Sequence, residues 1–569
     1  MHPAILILLA AAVWVMGYRF YGKFLRLGIL QLHDDFATPA VSRADEPEFE
    51  PRGRWTVSAF HAAASTGLLS LIGAAIAVVW GWVPAFLWVV VGSVVAATVL
   101  SLATLWATLR RSGESLAGLA FEMGGLPAAL ALFFAGVLLL VLVGGTLGMV
   151  LGSLLHAHPE TTWPFLSLLV IGNLLKGDVL EAPLRFSAAV ALFVIAFFAG
   201  QFFPLSLVGS WTFSIRDVEV FGLRHELIWA VIALYLAYRA AGIRASESTH
   251  GRGILASVLT VLVLVLFIAG TALQGNAMDA PQFNGAAGLP PVMLLLFIVV
   301  TGGALSGMHA LVASGFTARS LKRQQDVMTV GYLGVGLDSL VAVMVIAALA
   351  TGFSDKDAWQ AVYGTWPVHG GLYVWVDLAI TKVAMAISAL GVPLAWSVGL
   401  VAAMCATLAL SMLETTLRIL SASVQEFVQD FEFQWVNTPT FKQRCAVTLI
   451  GISTFMLAQA NVDLQDWLLV GIANQWFACS VLVLLGLVLW RARRAAVFCW
   501  APLVVIGPLT VWGTIWIMIQ WAQLHEWVLL GVGAVVCVCS LVYLAMCGGA
   551  ALQLRRQMLE GATVAPPRF

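Results

Sequence analysis

Residues 291–316 read PVMLLLFIVVTGGALSGMHALVASGF, without a single Asp, Glu, Lys or Arg. A helix needs about 20 apolar residues to cross the hydrocarbon core of a bilayer, and this stretch has them. It also carries Gly302, Gly303, Ser306, Gly307, Ser314 and Gly315 around one histidine, His309. Glycine with Ser or Thr lets a membrane helix break. The freed backbone groups can then bind a substrate or ion where they line a cavity. Close helix packing through small residues, as in Gly303-xxx-Gly307, is the competing reading.

Working outward, HALVASG at 309–315 has a counterpart, HAAASTG, at 61–67. Both place Ala after His, a hydroxyl before Gly, and Gly six residues after His. Of the ten histidines, only His61 and His309 sit inside apolar runs. When the runs are assigned to alternate sides, the two copies are antiparallel, the pattern of an inverted repeat in secondary transporters. The expected organisation is one integral membrane domain, with a first repeat region at 57–206, a second at 291–413 and accessory helices at 445–547.

The whole chain agrees. Of 569 residues, 61% are hydrophobic and 10% charged, with mean hydropathy +0.95 and no formal net charge. Soluble domains carry roughly 25% charged residues. The expected fold is therefore all-α and polytopic, and the membrane lipid is its solvent. A cytosolic enzyme, a disordered scaffold and a nucleic-acid partner are excluded. The seven cysteines, from Cys405 to Cys547, lie within or beside apolar stretches and read as small apolar filler. The run Ala4–Met16 has its basic residues after it (Arg19, Lys23, Arg26), which places the amino end outside.

Charge placement sets the topology. About sixteen apolar runs are long enough to consider. Alternation puts Arg110 and Arg111, then Lys176 and Arg185, then Arg239, Arg244 and Arg252, then Arg319, Lys322 and Arg323, all in the cytoplasm. The loop Gln274–Pro290 has no Lys or Arg and falls outside. The 207–226 loop is a mild exception, with Arg216 and Arg224 beside Asp217, Glu219 and Glu226. If 371–390 crossed, Arg418, Lys442, Arg444, Arg491, Arg493 and Arg494 would all be outside. That run also holds Asp377 and Lys382, costly in lipid. It is read as re-entrant or interfacial, leaving about fifteen crossings with the carboxyl end cytoplasmic. The segment 414–444 reads as an amphipathic helix near the inner surface.

The motifs of enzymes are absent: no HExxH, GxSxG, P-loop or complete GxGxxG. No enzyme activity, cofactor or metal site is expected. Intramembrane acids are the next filter. Asp338, in GYLGVGLDSLVAVM, is the deepest and is the candidate for proton coupling, against a structural hydrogen bond or ion pair. Glu414 with Arg418 reads as a helix ion pair. Asn474-Gln475 could brace neighbouring helices or face a pathway. Gly144, Gly148 and Gly152 mark a packing face.

Several stretches, in order along the chain, carry a resemblance. They are Tyr18-Arg19-Phe20-Tyr21-Gly22; Thr38-Pro39-Ala40; Gly81-Trp82-Val83-Pro84; Arg110-Arg111-Ser112-Gly113 with Ser115-Leu116; Ser306-Gly307-Met308-His309-Ala310-Leu311 with Ser314-Gly315; Gly331-Tyr332; and GIANQ at 471–475. The chain resembles the carbon starvation protein A family of bacterial inner-membrane transporters. The resemblance implies a fold similar to the amino acid–polyamine–organocation superfamily. It also implies proton-coupled uptake of peptides, or of a small carboxylate such as pyruvate, during nutrient limitation. The family's His-His-Phe and Gly-Ala-Gly-Pro elements are matched here by Phe60-His61-Ala62 and Gly67-Leu68-Leu69-Ser70. Its Gln-Asp pair is matched by Leu100-Ser101, and an acid of the later span by about Cys405. Two further acids are kept as Asp338 and Glu414. The expected substrate-binding set is His61, Ser65, Gly67, Ser306, Gly307, His309, Ser314, Gly315, Asn474 and Gln475. The competing expectation is a non-transporting nutrient sensor or assembly partner, motivated by the lost polar residues near Gly67 and at Leu100-Ser101.

Overall fold

A computed structural model describes residues 2–559 apart from 35, 47, 175–182, 208–210, 216–217, 243–244, 276, 286–288, 367–370, 431–438 and 461–462. Lys176, Arg216, Asp217 and Arg244 lie outside the described residues. Helix α1 (Pro3–Met16) continues through wider turns to Ile29, and α2 (Pro39–Ser42) is one short turn. Next, α3 (Arg54–Thr66) and α4 (Leu69–Ala77) form one path bent by 47°. The bend is at Gly67, whose φ of 46° is strained for any side chain. A Cβ there would also lie 1.9 Å from Met412 Sδ.

Helices α5 (Trp82–Val91) and α6 (Thr98–Arg110) join through a wide turn. Then α7 (Leu116–Ala157) starts on Ser115, whose Oγ accepts from the Gly118 amide. It kinks at Gly125, φ 72°, two residues before Pro127. After it come α8 (Thr162–Leu174), α9 (Pro183–Phe202), α10 (His225–Ala241) and α11 (Ala245–Gln274). The second broken path is α12 (Val292–Val299) and α13 (Gly307–Val312), with non-helical backbone at 300–306. The rest are α14 (Asp326–Thr351), α15 (Lys356–Tyr363), α16 (Leu372–Ser388), α17 (Leu394–Asp430), α18 (Pro439–Ala460), α19 (Leu464–Arg491), α20 (Val497–Leu524) and α21 (Trp527–Leu559).

The chain is helical as expected, apart from one short hairpin. β1 (Trp211–Ile215) and β2 (Val218–Leu223) pair antiparallel between α9 and α10. Aromatic and β-branched residues make up most of β1 and half of β2, which favours a hairpin over a helix. The expected count of about fifteen spans is also larger than length and apolarity alone support. Among the described residues ten helices are long and apolar enough to cross, or eleven with the bent α3–α4 pair.

The helices pack through small residues, as helices do where lipid removes most of the hydrophobic drive. Gly144 and Gly148 meet Ile450 and Thr454 of α18, and Gly152 meets Glu226 and Ala230 of α10. The expected packing face is therefore present. Arginine-rich loops gather at one end of the bundle. There Arg110 binds Gln324 at 3.2 Å, Arg494 binds the Ile29 carbonyl at 2.9 Å and Arg418 binds the Ala240 carbonyl at 2.7 Å. The opposite end joins the Asp279 amide to the Ala350 carbonyl and the Asn284 amide to the Trp80 carbonyl. Both termini of α16 meet this opposite end. Gly371–Tyr373 line a cavity of about 180 Å³ with His156 and Ala157, and Gln274 donates to the Met385 carbonyl at 3.1 Å.

Candidate functional site

The two broken paths touch at their breaks. A Cβ on Gly73 of α4 would lie 2.6 Å from the Val299 carbonyl oxygen, and one on Gly302 would lie 2.5 Å from the Ser70 amide. Only glycine permits that approach. Gly303, at φ 77°, turns the chain into α13, and a Cβ there would lie 2.4 Å from the Ala342 Cβ.

Helix α14 supplies the wall. Residues 331, 334, 338 and 342 fall at helical spacing on one face. Gly331 lies against Ser101 and Gly334 against the His61 ring. Asp338 Oδ2 accepts from the Gly303 amide at 2.6 Å and lies 3.1 Å from His309 Nε2. Asp338, His309 and His61 are all fully buried. His61 Nδ1 lies 2.9 Å from Thr317 Oγ1, and its Nε2 lies 3.5 Å from Ser101 Oγ. The amide freed by the second break is therefore held by a carboxylate.

Helix α19 braces the same break. Asn474 Nδ2 donates to the Thr301 carbonyl at 2.8 Å, while its Oδ1 accepts from the Gly307 amide at 2.9 Å and Ser306 Oγ at 3.2 Å. Gln475 donates to the Leu305 carbonyl at 3.1 Å, and Trp467 donates to the Val299 carbonyl at 2.9 Å. Non-helical backbone in a dry interior needs such partners, since each buried unsatisfied group costs about 1–3 kcal/mol.

The expected binding set thus divides into three places. His61, Ser306, Gly307 and His309 are at or beside the breaks, with Ser65 and Gly67 at the bend of the first path. Asn474 and Gln475 hold the second break in shape. Ser314 turns inward to the Ala310 carbonyl at 2.9 Å, and Gly315 instead lines a vestibule. Buried polar atoms without a partner among the described residues include His309 Nδ1, Asp338 Oδ1, Thr301 Oγ1 and Ser65 Oγ.

Thr301, Ser101 and Thr317 were not foreseen. Thr317 had a signal: it is eight residues after His309 and so returns to the same helix face. Ser101 stood only as the match to the family's Gln-Asp pair and outside the expected binding set, since only the fold brings α6 beside His61. Glu414 is more than a local pair. Fully buried, it accepts from Arg418 at 3.0 Å and also from Arg252 of α11.

Beneath α13, on the arginine-rich side, is a cavity of about 470 Å³ bordered by Glu48, Phe316, Arg319, Arg418 and Lys442. Phe316 packs edge-on against Phe60, with ring centroids 4.7 Å apart.

The sequence profile described as "Carbon starvation protein CstA" matches residues 2–366. This chain belongs to the carbon starvation protein CstA family. The peptide transporter CstA of Mycobacterium tuberculosis is 27% identical over 369 residues, covering 62% of this chain and 46% of that protein. The peptide transporter CstA of Bacillus subtilis is 25% identical, covering 63% and 59%. The pyruvate/proton symporter BtsT of Escherichia coli is 25% identical, covering 60% and 48%. The chain spans about half the length of these curated relatives. Among solved structures, MhsT in complex with L-phenylalanine aligns with a TM-score of 0.47 and 15% identity, covering 86% of this chain and 99% of that one.

Proposed function

We propose that this CstA-family chain is a proton-coupled secondary transporter that takes up a peptide or a small carboxylate such as pyruvate. The observation that carries the reading is Asp338 Oδ2 holding both the Gly303 amide and His309 at the second break. A proton on Asp338 removes the charge that anchors both donors. The Gly303 amide and His309 Nε2 then become available to a substrate carboxylate. Loss of the proton returns them to Asp338 and expels the anion. The Asp338 carboxylate and the substrate carboxylate would thus compete for the same two donors, so that proton and substrate bind together.

The arrangement of two breaks packed on α14 supports an inverted-repeat core similar to the amino acid–polyamine–organocation superfamily. Adding α8, α10, α12–α13 and α18 to the eleven candidates restores about fifteen crossings. The arginine-rich end then lies in the cytoplasm of the bacterial inner membrane, with the amino end outside. In that orientation the 470 Å³ vestibule opens inward.

Uptake of labelled pyruvate and dialanine into proteoliposomes under an imposed proton gradient tests the reading. Gradient-driven uptake by the native chain, lost in Asp338→Asn, is the expected result. No uptake of either solute would favour a membrane sensor.

A further inference from the structure

Lys442, in the first turn of α18, is 5% exposed, and among the described residues no hydrogen bond or ion pair holds its ammonium. It borders the 470 Å³ vestibule. The other charges there are engaged. Glu48 is bound by Arg319 and Glu46 by Arg43. Glu50 lies 3.7 Å from Arg52, and Arg418 holds Glu414. The ammonium faces the open vestibule, and Glu48, the carboxylate that attracts it, is already bound by Arg319, so the cation is free to take up an anion from the cavity. Around it the vestibule wall offers Ser421, Gln425 and Gln443, side chains suited to hydrogen-bond a carboxylate. Gly315 and Phe316, on the same wall, directly precede Thr317, whose Oγ1 lies 2.9 Å from His61 Nδ1. Lys442 also lies beyond the stretch that the family profile matches.

We infer that the vestibule is a second binding site for small carboxylates, with Lys442 as its anchor, reached from the side opposite α16. The transport reading supplies only its orientation, as a station where substrate pauses before the cytoplasm. The site itself requires no transport.

Equilibrium binding of labelled pyruvate to the full chain in nanodiscs tests this, with dialanine and alaninamide as competitors. Pyruvate binding should weaken about tenfold or more in Lys442→Gln and stay within about threefold in Lys442→Arg, the loss expected for one desolvated charge contact. Dialanine should compete and alaninamide, which lacks a carboxylate, should not. The Lys442-dependent component should persist in an Asp338→Asn background. Unchanged binding in Lys442→Gln, where thermal unfolding shows it folded, overturns the inference, as does absence of pyruvate and dialanine binding in the native chain. Lys442-dependent binding without any uptake by the native chain would sink the transport reading and leave this site standing. Gradient-driven uptake with Lys442-independent binding would do the reverse.

Discussion

Asn474 shows how one side chain can hold a break. Its carboxamide serves Thr301, Ser306 and Gly307 at once. In Asn474→Ala those buried groups lose their partner, and about 1–3 kcal/mol per group is the scale of the loss. Thermal unfolding in detergent should show a larger drop than for Gln475→Ala, which removes one bond to Leu305. Equal drops would mean that the break supports itself. Gly303→Ala should destabilise as well, because its positive φ and the nearby Ala342 leave no room for a Cβ. At this scale His309 and Asp338 were legible, because a charged or titratable group in an apolar run stands out. The role of Asn474 was not. A carboxamide that braces and one that faces a pathway look alike until the backbone beside it is known.

Helix α16 shows the same contrast one level up. It was expected to be re-entrant or interfacial because Asp377 and Lys382 are expensive in lipid and the basic loops favoured it. What it does instead required the fold. His158, just beyond α7, lies 2.9 Å from Asp377 of α16 and 3.2 Å from Glu160. Burial pulls the imidazole pKa down, but the hydrogen bonds and charges of Asp377 and Glu160 outweigh it and hold it up at about 9. The folded value is above the unfolded one, near 6.5. The stabilisation is therefore complete below about pH 6.5 and lost as pH rises through about 9. Thermal unfolding from pH 6 to 10 should show a decline that is absent in His158→Gln. A flat profile for the native chain would remove the latch. The β1–β2 hairpin was missed for a different reason. In a chain so rich in helix, a short run of alternating aromatic and branched residues is outweighed by its surroundings.

Over the whole molecule, the sparse charges divide the ends. Cysteine placed at Ser421, in the vestibule wall, should label from the cytoplasmic face. Cysteine at Phe283, exposed beside Trp80 and Asn284, should label from outside. Label appearing on the wrong face at either position would invert the proposed orientation. The membrane class and most helices were readable from apolar runs. The meeting of the two breaks was not, because it depends on glycines at 73, 302 and 303 whose purpose is contact with chain far away in sequence. That contact has a mechanical consequence. Backbones seated against each other without an intervening side chain cannot slide independently, so α4 and α12 form a single lever. In the proposed transport cycle both halves would move together, and any slip against α14 would first require release of the Gly303–Asp338 bond. A covalent tie between the two breaks should therefore spare turnover, whereas a tie from either of them to α14 should freeze it.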